Sequence, residues 1–557
     1  MKKMIATLLA VCMLLMMIPA IGVSAESAIA WPANIGDNVV IGGETYEYVG
    51  DMGSRFDLIR LDESVLDRPL AGRFGAGYFA WDGEDTLVLN NTTGNFEEVY
   101  SLIEVRDLNA NIVFEGKNVW TVTNEEEYLY VFDLYDDPEI NGNNVVVFSG
   151  DDSSFELNVT SYTTADVIWA EPTLGIYGLK MDISVSCAGG NGIRGYRAIE
   201  FEGSDISLDM TYDAMVDYDH NLILGGGGVY VNDSTLNLKG RDLTEYEEGV
   251  LPFYFDSIES YSDIAIDNSV VNIDAESQAC AYGLYVDEDI RIVNGSAVEV
   301  KGVSLVASYL VGANTIEIDD SYFRSVATGS DINIAIDAWE DGGGGIELSD
   351  AELIAPIGGS FALYEGEDLS DVVNYTAFTA DGEIASEIII APRGYADVSG
   401  NQWFAPAVGF ATARGLFKGV DADNFAPFMQ LTRAQMMTIL ARMSGANVDP
   451  APGEIWYEKA VEWAVENGVS DGTDPNGKIT REQMITMVWR YLGEPEGDGD
   501  LTQFTDRNKI DGWAEDALAW AVEYGVISGR GEGILDPDGT ANRAEAAQLL
   551  KNFIINY

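Results

Sequence analysis

The chain contains very little cysteine and a single histidine. Among its 557 residues there are three cysteines. Cys12 lies in an apolar N-terminal stretch, which leaves only Cys187 and Cys280 for the rest of the chain. Two cysteines cannot cross-link a fold of this size, so we expect buried thiols rather than a disulfide framework. We interpret the one histidine, His220, as an ordinary loop residue.

Basic residues are also scarce, and the imbalance is uneven along the chain. There are 93 acidic and 30 basic residues, which gives a formal net charge of −63. Residues 26–390 alone hold 69 of the acids and only 14 of the bases. Such a negative field repels nucleic acid, anionic membranes and polyuronate chains unless a cation intervenes. We predict a solvated acidic surface and no cofactor, with a calcium site as the alternative.

Long apolar runs are absent after the first 25 residues, so the sequence predicts no membrane span beyond them. Residues 1–3 are basic at two positions, residues 4–21 are apolar, and residues 23–25 are small. This order is typical of a secretory signal peptide that is cleaved before Glu26. The mature protein is therefore predicted to be exported, and its retention at a surface requires another device.

Short alternating apolar runs separated by Gly, Asn and Asp fill the acidic region. A serine between two such runs recurs at intervals of 25 to 35 residues, at Ser204, Ser234, Ser269, Ser296, Ser321 and Ser349. Repeats of this length with strand-sized motifs indicate a solenoid in which each repeat forms one coil. We predict a mainly β fold, a right-handed parallel β-helix, over residues 80–390. Residues 26–79 are predicted to form an N-terminal β cap.

This pattern resembles the β-helical surface proteins of anaerobic Gram-positive bacteria, among which carbohydrate-binding domains occur. The resemblance implies a structural, adhesive or carbohydrate-binding role, with an external glycan as a partner. Polysaccharide lyases and hydrolases also use the parallel β-helix. A cell-bound polysaccharide-degrading enzyme is therefore the alternative.

Candidate catalytic residues are isolated. Asp151 and Asp152 match the adjacent acid pair of one β-helical hydrolase family, but the Gly-His-Gly and Arg-x-Lys signatures of that family are missing. A lyase needs a basic side chain to remove a proton, and the closest basic pair is Arg194 with Arg197. Salt bridges to the acidic surface explain that pair adequately. We therefore predict no catalytic residues and no enzymatic activity.

A cassette occurs three times near the C-terminus. Each copy has a tryptophan followed by apolar residues four, seven and eight positions later, which predicts one stripe of an amphipathic helix that includes Trp403, Trp456 and Trp513. Each copy then reaches a glycine and an arginine: Gly419 and Arg433, Gly472 and Arg481, Gly529 and Arg543. Thr432, Thr480 and Asn542 precede the arginines as N-caps, with Gln or Glu completing a capping box. Each copy is therefore predicted to be helix, glycine-rich turn, helix.

The segments LTRAQ (431–435), ITREQ (479–483) and ANRAE (541–545) resemble the I-T-R-A-E signature of S-layer homology domains. Copies one and three also carry the leading aromatic-x-Asp motif of that family, at 395–397 and 504–506, and copy two lacks it. The resemblance implies an all-α pseudo-threefold triplet, with repeats over 394–444, 453–493 and 502–557. It also implies anchoring at the cell surface to a pyruvylated secondary cell-wall polysaccharide, through Arg433, Arg481, Arg543, Thr432, Thr480, Gly419, Gly472 and Gly529.

The arginines are the strongest candidates within that set. A guanidinium fork suits a ketal carboxylate, and a helix N-terminus adds positive potential at the same place. Copy one keeps both Thr432 and the aromatic lead, whereas copy three has Asn542 in place of the threonine. We therefore expect Arg433 to contribute more to wall binding than Arg543.

Overall fold

The structure is a computed structural model. It describes residues 29–556 except 31, 33–34, 37, 42–43, 53–58, 98, 126–127, 137–143, 151–152, 214–219, 244–253, 330–331, 340–344, 366–372, 393, 445, 449 and 451–453. The predicted signal peptide over 1–25 lies outside the described residues, as do Asp151 and Asp152. In the described part, no helix is both long enough and apolar enough to cross a membrane.

Three long sheets make up the N-terminal region. Sheet 1 contains Asn38–Ile41, Glu44–Met52, Leu70–Phe74, Gly77–Trp81, Thr86–Asn90, Ala110–Glu115, Val145–Ser149, Thr173–Tyr177, Ile199–Glu202, Val229–Asn232, Ile264–Asp267, Asp289–Val293, Thr315–Asp319 and Gly345–Ser349. Sheet 2 contains Thr93–Glu97, Lys117–Asn124, Ser154–Ser161, Lys180–Cys187, Asp205–Tyr212, Thr235–Asp242, Val270–Ser277, Ala297–Ser304, Tyr322–Thr328, Glu352–Ala355 and Glu387–Ala391. Sheet 3 contains Ile59–Leu61, Ser101–Arg106, Leu129–Tyr135, Ala165–Ala170, Gly190–Gly195, His220–Gly225, Tyr254–Ser260, Cys280–Val286, Ala307–Ala313, Ile332–Ile334, Asp337–Trp339, Ser360–Glu365 and Val373–Phe378.

Successive coils add one strand to each sheet, in the order sheet 1, sheet 2, sheet 3, and equivalent strands pair in parallel. About ten coils stack in this way, which confirms the predicted β-solenoid. Within a strand such as Lys180–Cys187, alternate residues point inward and are buried, while the residues between them face outward. The inward apolar residues form one continuous core along the solenoid, so each coil is stabilised mainly by burial against its neighbours.

Five of the six repeated serines form a buried ladder. The backbone N–H of each of the first four donates to the hydroxyl of the serine on the next coil, at 3.0 Å from Ser204 to Ser234 and at 3.2 Å from Ser296 to Ser321. The assignment of Ser349 to this set is wrong. Ser349 pairs in register with Asp319, so Ala351 occupies the ladder position on the last coil.

Antiparallel strands close both ends of the solenoid. At the start, Asn38–Ile41 pairs with Glu44–Met52, and the strands between 70 and 90 form an antiparallel meander. At the other end, Glu387–Ala391 lies antiparallel to Tyr322–Thr328. The final part of the region 80–390 is therefore not parallel, because the outermost coil has open edges that need to be covered.

Cys187, Cys280 and His220 are all buried in the solenoid. Cys187 and Cys280 are free and buried, as predicted, and burial raises the pKa of the Cys187 thiol to about 12. The interpretation of His220 as a loop residue is wrong, because it begins the strand His220–Gly225 and is only 1% exposed. Its ring stacks on Tyr212 with the centroids 4.4 Å apart. This interior contact places His220 in a buried strand, although the residues next to it in sequence are polar.

The described residues of the C-terminal region form six α-helices: α1 Ala405–Ala413, α2 Arg433–Met443, α3 Glu458–Glu466, α4 Arg481–Tyr491, α5 Glu515–Glu523 and α6 Arg543–Asn556. Short 3₁₀ helices lie at Leu501–Gln503 and Arg507–Lys509. The arginines begin α2, α4 and α6 as predicted. The tryptophans do not lie on α1, α3 and α5, because each helix starts two residues later. Trp403, Trp456 and Trp513 are 58%, 45% and 47% exposed, so the buried helical stripe begins only at the alanine four residues on.

Helices α1 and α6 pack against sheet 2 of the solenoid. Phe410 of α1 meets Tyr322 of sheet 2 with ring centroids 5.8 Å apart, within a small apolar cluster shared by both regions. Arg414 Nη1 donates to Asn268 Oδ1 at 3.3 Å and to the carbonyl of Gly295 at 3.4 Å. The helical region is therefore packed directly on the side of the solenoid.

Candidate functional site

The three arginine helices start from a closed ring of backbone hydrogen bonds. Leu431 N donates to Ala541 O, Ala541 N donates to Ile479 O, and Ile479 N donates to Leu431 O, each at 3.0 Å. Each of these residues lies two positions before its arginine. The ring therefore links the starts of the three arginine helices in a cyclic order.

Capping boxes fix the first turn of each arginine helix. The cap side chain accepts a hydrogen bond from the backbone N–H three residues later, and the residue there returns one to the cap N–H. The pairs are Thr432 with Gln435, Thr480 with Gln483, and Asn542 with Glu545. All three predicted capping boxes are confirmed, and Asn542 performs the same role as the threonines.

Each arginine side chain crosses to the next repeat around the ring. Its Nε donates to a backbone carbonyl there: Arg433 to Thr473 O at 2.9 Å, Arg481 to Leu535 O at 3.0 Å, and Arg543 to Phe425 O at 2.9 Å. The order is cyclic, from repeat one to two, from two to three, and from three back to one. We name the three junctions groove 1–2, groove 2–3 and groove 3–1. The structure thus brings together Arg433 with the Gly472 loop, Arg481 with the Gly529 loop, and Arg543 with the Gly419 loop.

In groove 1–2 the arginine is paired with an exposed carboxylate. Arg433 Nη2 donates to Asp471 Oδ1 at 2.6 Å and to Ser470 Oγ at 3.2 Å. The Arg433 side chain is 12% exposed, and that of Asp471 is 65% exposed. Hydrogen bonds from Thr473 and then the Arg433 charge lower the pKa of Asp471. Gly472 has a φ of +70°, which favours glycine where the loop turns beside this pair.

In groove 2–3 the arginine is more deeply buried and a second arginine joins it. Arg481 Nη1 lies 3.7 Å from Glu545 Oε1, and its Nη2 has no hydrogen-bond partner among the described residues. Arg530, which follows Gly529, donates through Nε to the same carboxylate oxygen at 2.8 Å and also pairs with Asp536. Burial lowers the pKa of Arg481. Sequence reasoning missed Arg530, whose only signal was its position directly after the repeat glycine.

In groove 3–1 the arginine is held by carbonyls and aromatic rings. Arg543 Nη2 donates to the carbonyl of Lys418 at 2.6 Å, and its guanidinium carbon lies 4.4 Å from the centroid of the Phe425 ring. Burial lowers the pKa of Arg543. A Cβ on Gly419 would approach Tyr395 Cε1 to 2.6 Å, so this loop position accepts only glycine without rearrangement.

The aromatic-x-Asp motif of repeat one supports groove 3–1. Asp397 accepts hydrogen bonds from the backbone N–H groups of Phe425 and Ala426 at 2.8 and 2.7 Å. Phe425 also accepts from Arg543, so Asp397 positions the carbonyl that Arg543 uses. The motif of copy one therefore supports the groove that contains Arg543 and not the groove that contains Arg433. The reason given above for ranking Arg433 first is wrong, since the arginine of each repeat crosses to its neighbour.

Repeat three uses its motif in the same way, and repeat two replaces it. Asp506 accepts from the N–H groups of Leu535 and Asp536 at 2.9 and 2.8 Å. In repeat two, Asp471 accepts from the backbone N–H of Thr473 at 3.0 Å, which holds the carbonyl that Arg433 uses. Sequence reasoning missed Asp471, although an aspartate two residues before Thr473 is a recognisable Asx-turn signal.

The family comparison agrees with the repeats defined by this geometry. Residues 394–437, 453–485 and 503–547 match the S-layer homology domain. Curated relatives include the S-layer protein sap of Bacillus anthracis, 28% identical over 30% of this chain and 22% of its own length. The surface-layer 125 kDa protein of Lysinibacillus sphaericus is 30% identical over 26% of this chain and 13% of its length. The exoglucanase XynX of Acetivibrio thermocellus is 27% identical over 28% of this chain and 16% of its length.

These similarities are confined to the helical region. The chain spans less than a quarter of the length of each of the three relatives, so their whole-protein activities are not transferred by the match. The match and the geometry agree on three repeats, and the geometry alone shows that arginine side chains connect them. Three S-layer homology domains therefore form the C-terminal region of this chain, and they identify it as an extracellular, cell-wall-associated protein of the cell surface.

Proposed function

We propose that the protein is anchored non-covalently to the cell wall by its three grooves, which bind a pyruvylated secondary wall polysaccharide. The observation that carries this proposal is the cyclic placement of one arginine, at a helix N-terminus, beside a glycine-containing loop in every groove. A guanidinium group and a helix N-terminus both favour an anionic carboxylate. The overall charge of the protein is strongly negative, so such local positive sites are needed to hold an anionic polymer.

Of the three grooves, groove 1–2 is the one in which an incoming anion most readily replaces the present partner of the arginine. Arg433 is more exposed than Arg481, and its partner Asp471 reaches into solvent and can move away from the guanidinium. Arg481 and Arg543 also hold the repeats together through buried carbonyl contacts. Arg433 is thus the arginine whose loss should reduce binding with the least effect on folding.

The test is binding of the full chain to wall sacculi before and after acid extraction of the secondary polymer. Arg433→Ala should weaken binding to intact sacculi roughly tenfold or more, since losing one charge-assisted contact costs about 1.5–3 kcal/mol. The matched control is Arg291→Ala, an exposed arginine on sheet 1 of the solenoid, which should bind like the unaltered protein. Equal binding to extracted and intact sacculi would overturn the proposal.

The second part of the proposal is that the solenoid acts as a non-catalytic display region, coiled right-handedly. Three buried carboxylates on sheet 3 that would suit acid–base chemistry lie beside arginines: Glu104 and Asp133 beside Arg106, and Asp166 beside Arg194. Incubating the full chain with a polysaccharide panel and measuring reducing ends and unsaturated products tests this part. Release of either product above that of a heat-denatured sample would show that the solenoid is enzymatic.

A further inference from the structure

The outer face of sheet 3 carries a row of aromatic rings across four successive coils. Tyr100 meets Tyr130 with ring centroids 5.4 Å apart, Tyr130 meets Trp169 at 5.5 Å, and Trp169 meets Tyr196 at 5.7 Å. Tyr100 and Tyr196 are more than half exposed, and the two rings between them are partly exposed. Each ring lies further along its strand than the ring on the preceding coil, because Tyr130 pairs with Ser101, Asp133 pairs with Trp169, and Trp169 pairs with Arg194. The row therefore presents a continuous aromatic surface that crosses sheet 3 diagonally.

Charged side chains beside this row are arranged in neutral pairs. Arg106 Nη2 lies 2.8 Å from Asp133 Oδ2, and Arg194 Nη1 lies 3.9 Å from Asp166 Oδ2. Both carboxylates are almost completely buried, while the two arginines remain about one-third exposed. The local surface thus offers guanidinium N–H donors without a net positive charge, on a domain that is otherwise strongly acidic.

The polar groups are held rigidly on strands. Asn191 donates from both its backbone N and its Nδ2 to Asp166 Oδ1, at 2.8 and 2.6 Å. The Arg194 guanidinium lies 5.4 Å from the centroid of the Tyr196 ring, so the ring and the ion pair fix one another's position. Side chains that are already ordered lose little entropy when a ligand binds.

We infer that this face, from Tyr100 to Tyr196, binds a neutral polysaccharide whose chain follows the diagonal aromatic row across sheet 3. Aromatic rings stack on the apolar C–H faces of sugar rings, and fixed guanidinium donors suit sugar hydroxyl groups. The charge of the surface distinguishes neutral from anionic polymers as ligands. The paired carboxylates cancel the arginines, and the surrounding acidic surface repels polyuronates and nucleic acids, so the face matches an uncharged hexose polymer.

The experiment is affinity electrophoresis of the full chain through gels containing soluble glucomannan, with parallel gels containing polygalacturonate and no polymer. Glucomannan should retard the protein and polygalacturonate should not. Trp169→Ala and Arg194→Gln should each weaken retardation, on the order of tenfold in apparent affinity for the tryptophan. Tyr230→Ala is the matched control, because Tyr230 is a partly exposed aromatic residue on the outer face of sheet 1.

Thermal unfolding of each variant establishes that the solenoid is intact, and binding to wall sacculi, which depends on the grooves, should be the same for all of them. Loss of sacculus binding in Arg433→Ala with normal retardation in glucomannan would separate the two sites. Three results would overturn the inference: no retardation by glucomannan, equal retardation of Trp169→Ala and the unaltered protein, or stronger retardation by polygalacturonate.

Discussion

Lys551 Nζ lies 2.9 Å from Glu299 Oε1, and this pair joins α6 to sheet 2 of the solenoid. We call the helical region 394–556 the anchor. Both side chains are at least nine-tenths buried, and Tyr322 donates a further hydrogen bond to Glu299 at 2.6 Å. Burial would raise the pKa of Glu299, but the charge of Lys551 and the two hydrogen bonds outweigh it and lower that pKa. The anchor and the solenoid are therefore connected through a desolvated ion pair.

Removing one partner of this pair should destabilise the junction strongly. Lys551→Met leaves the Glu299 carboxylate buried without its ion-pair partner, and such a loss typically costs about 3–5 kcal/mol. The double variant Lys551→Met with Glu299→Gln should recover a large part of that loss, because no unpaired charge remains. Thermal unfolding and limited proteolysis between residues 391 and 405 are the measurements. A double variant less stable than the single one would contradict this account.

The serine ladder predicts a matched pair of substitutions in the solenoid. Ser269→Ala removes the acceptor for the buried N–H of Ser234, and leaving such a donor unsatisfied costs about 1–3 kcal/mol. Ser349→Ala should have almost no effect, because Ser349 is exposed and outside the ladder. The comparison requires only the unfolding temperature of the full chain. Equal temperatures for the two variants would show that the ladder is not stabilising.

Sequence periodicity was sufficient to predict the coils but not every register. The serines revealed the repeat because the same buried turn recurs in successive coils, where the serine hydroxyl accepts from the N–H of the serine on the preceding coil. At the last coil Ala351 fills the same position, so searching for serine placed the motif two residues too early. His220 was misassigned for a related reason, since only its contact with Tyr212 shows that a polar residue begins a buried strand.

In the anchor, local signals predicted the helices and missed the connections between repeats. Capping boxes depend on residues three positions apart, so Thr432 and Gln435 were identified directly. The contact between Arg543 and Phe425 spans 118 positions and depends on ring closure, which no local spacing encodes. The family resemblance supplied the candidate residues, and the structure shows which repeat each of them serves.

Stability of the anchor should fall in acid through Asp506. Burial would raise the pKa of Asp506, but the N–H groups of Leu535 and Asp536 outweigh it and lower that pKa below the usual 3.8. A depressed pKa in the folded state contributes stability above the unfolded value, and this contribution is lost as the pH falls through the folded value. The stability difference between the unaltered protein and Asp506→Asn should therefore be largest at neutral pH and shrink below about pH 3.8.

Urea unfolding of the full chain at several pH values measures this difference. Asp516→Asn on α5 is the matched control, since Asp516 is exposed and its substitution should produce a small difference at every pH. A difference for Asp506→Asn that stays constant from pH 7 to pH 3 would show that the charge of Asp506 does not stabilise the loop.

Added salt should stabilise the solenoid by screening the repulsion between its acidic side chains. Burial and then the charge of Glu156 on the preceding coil raise the pKa of Asp182, which shows that carboxylates on adjacent coils disfavour one another's ionisation. Adjacent coils are closer than the Debye length of about 10 Å at 0.1 M salt, so added salt should raise the unfolding temperature.

Within the described residues, no group of three or more His, Cys, Asp or Glu side chains is positioned to hold a metal. Sodium chloride should therefore reproduce most of the gain seen with calcium chloride at equal ionic strength. A saturable rise at millimolar calcium that magnesium does not produce would instead reveal a specific oxygen-lined site.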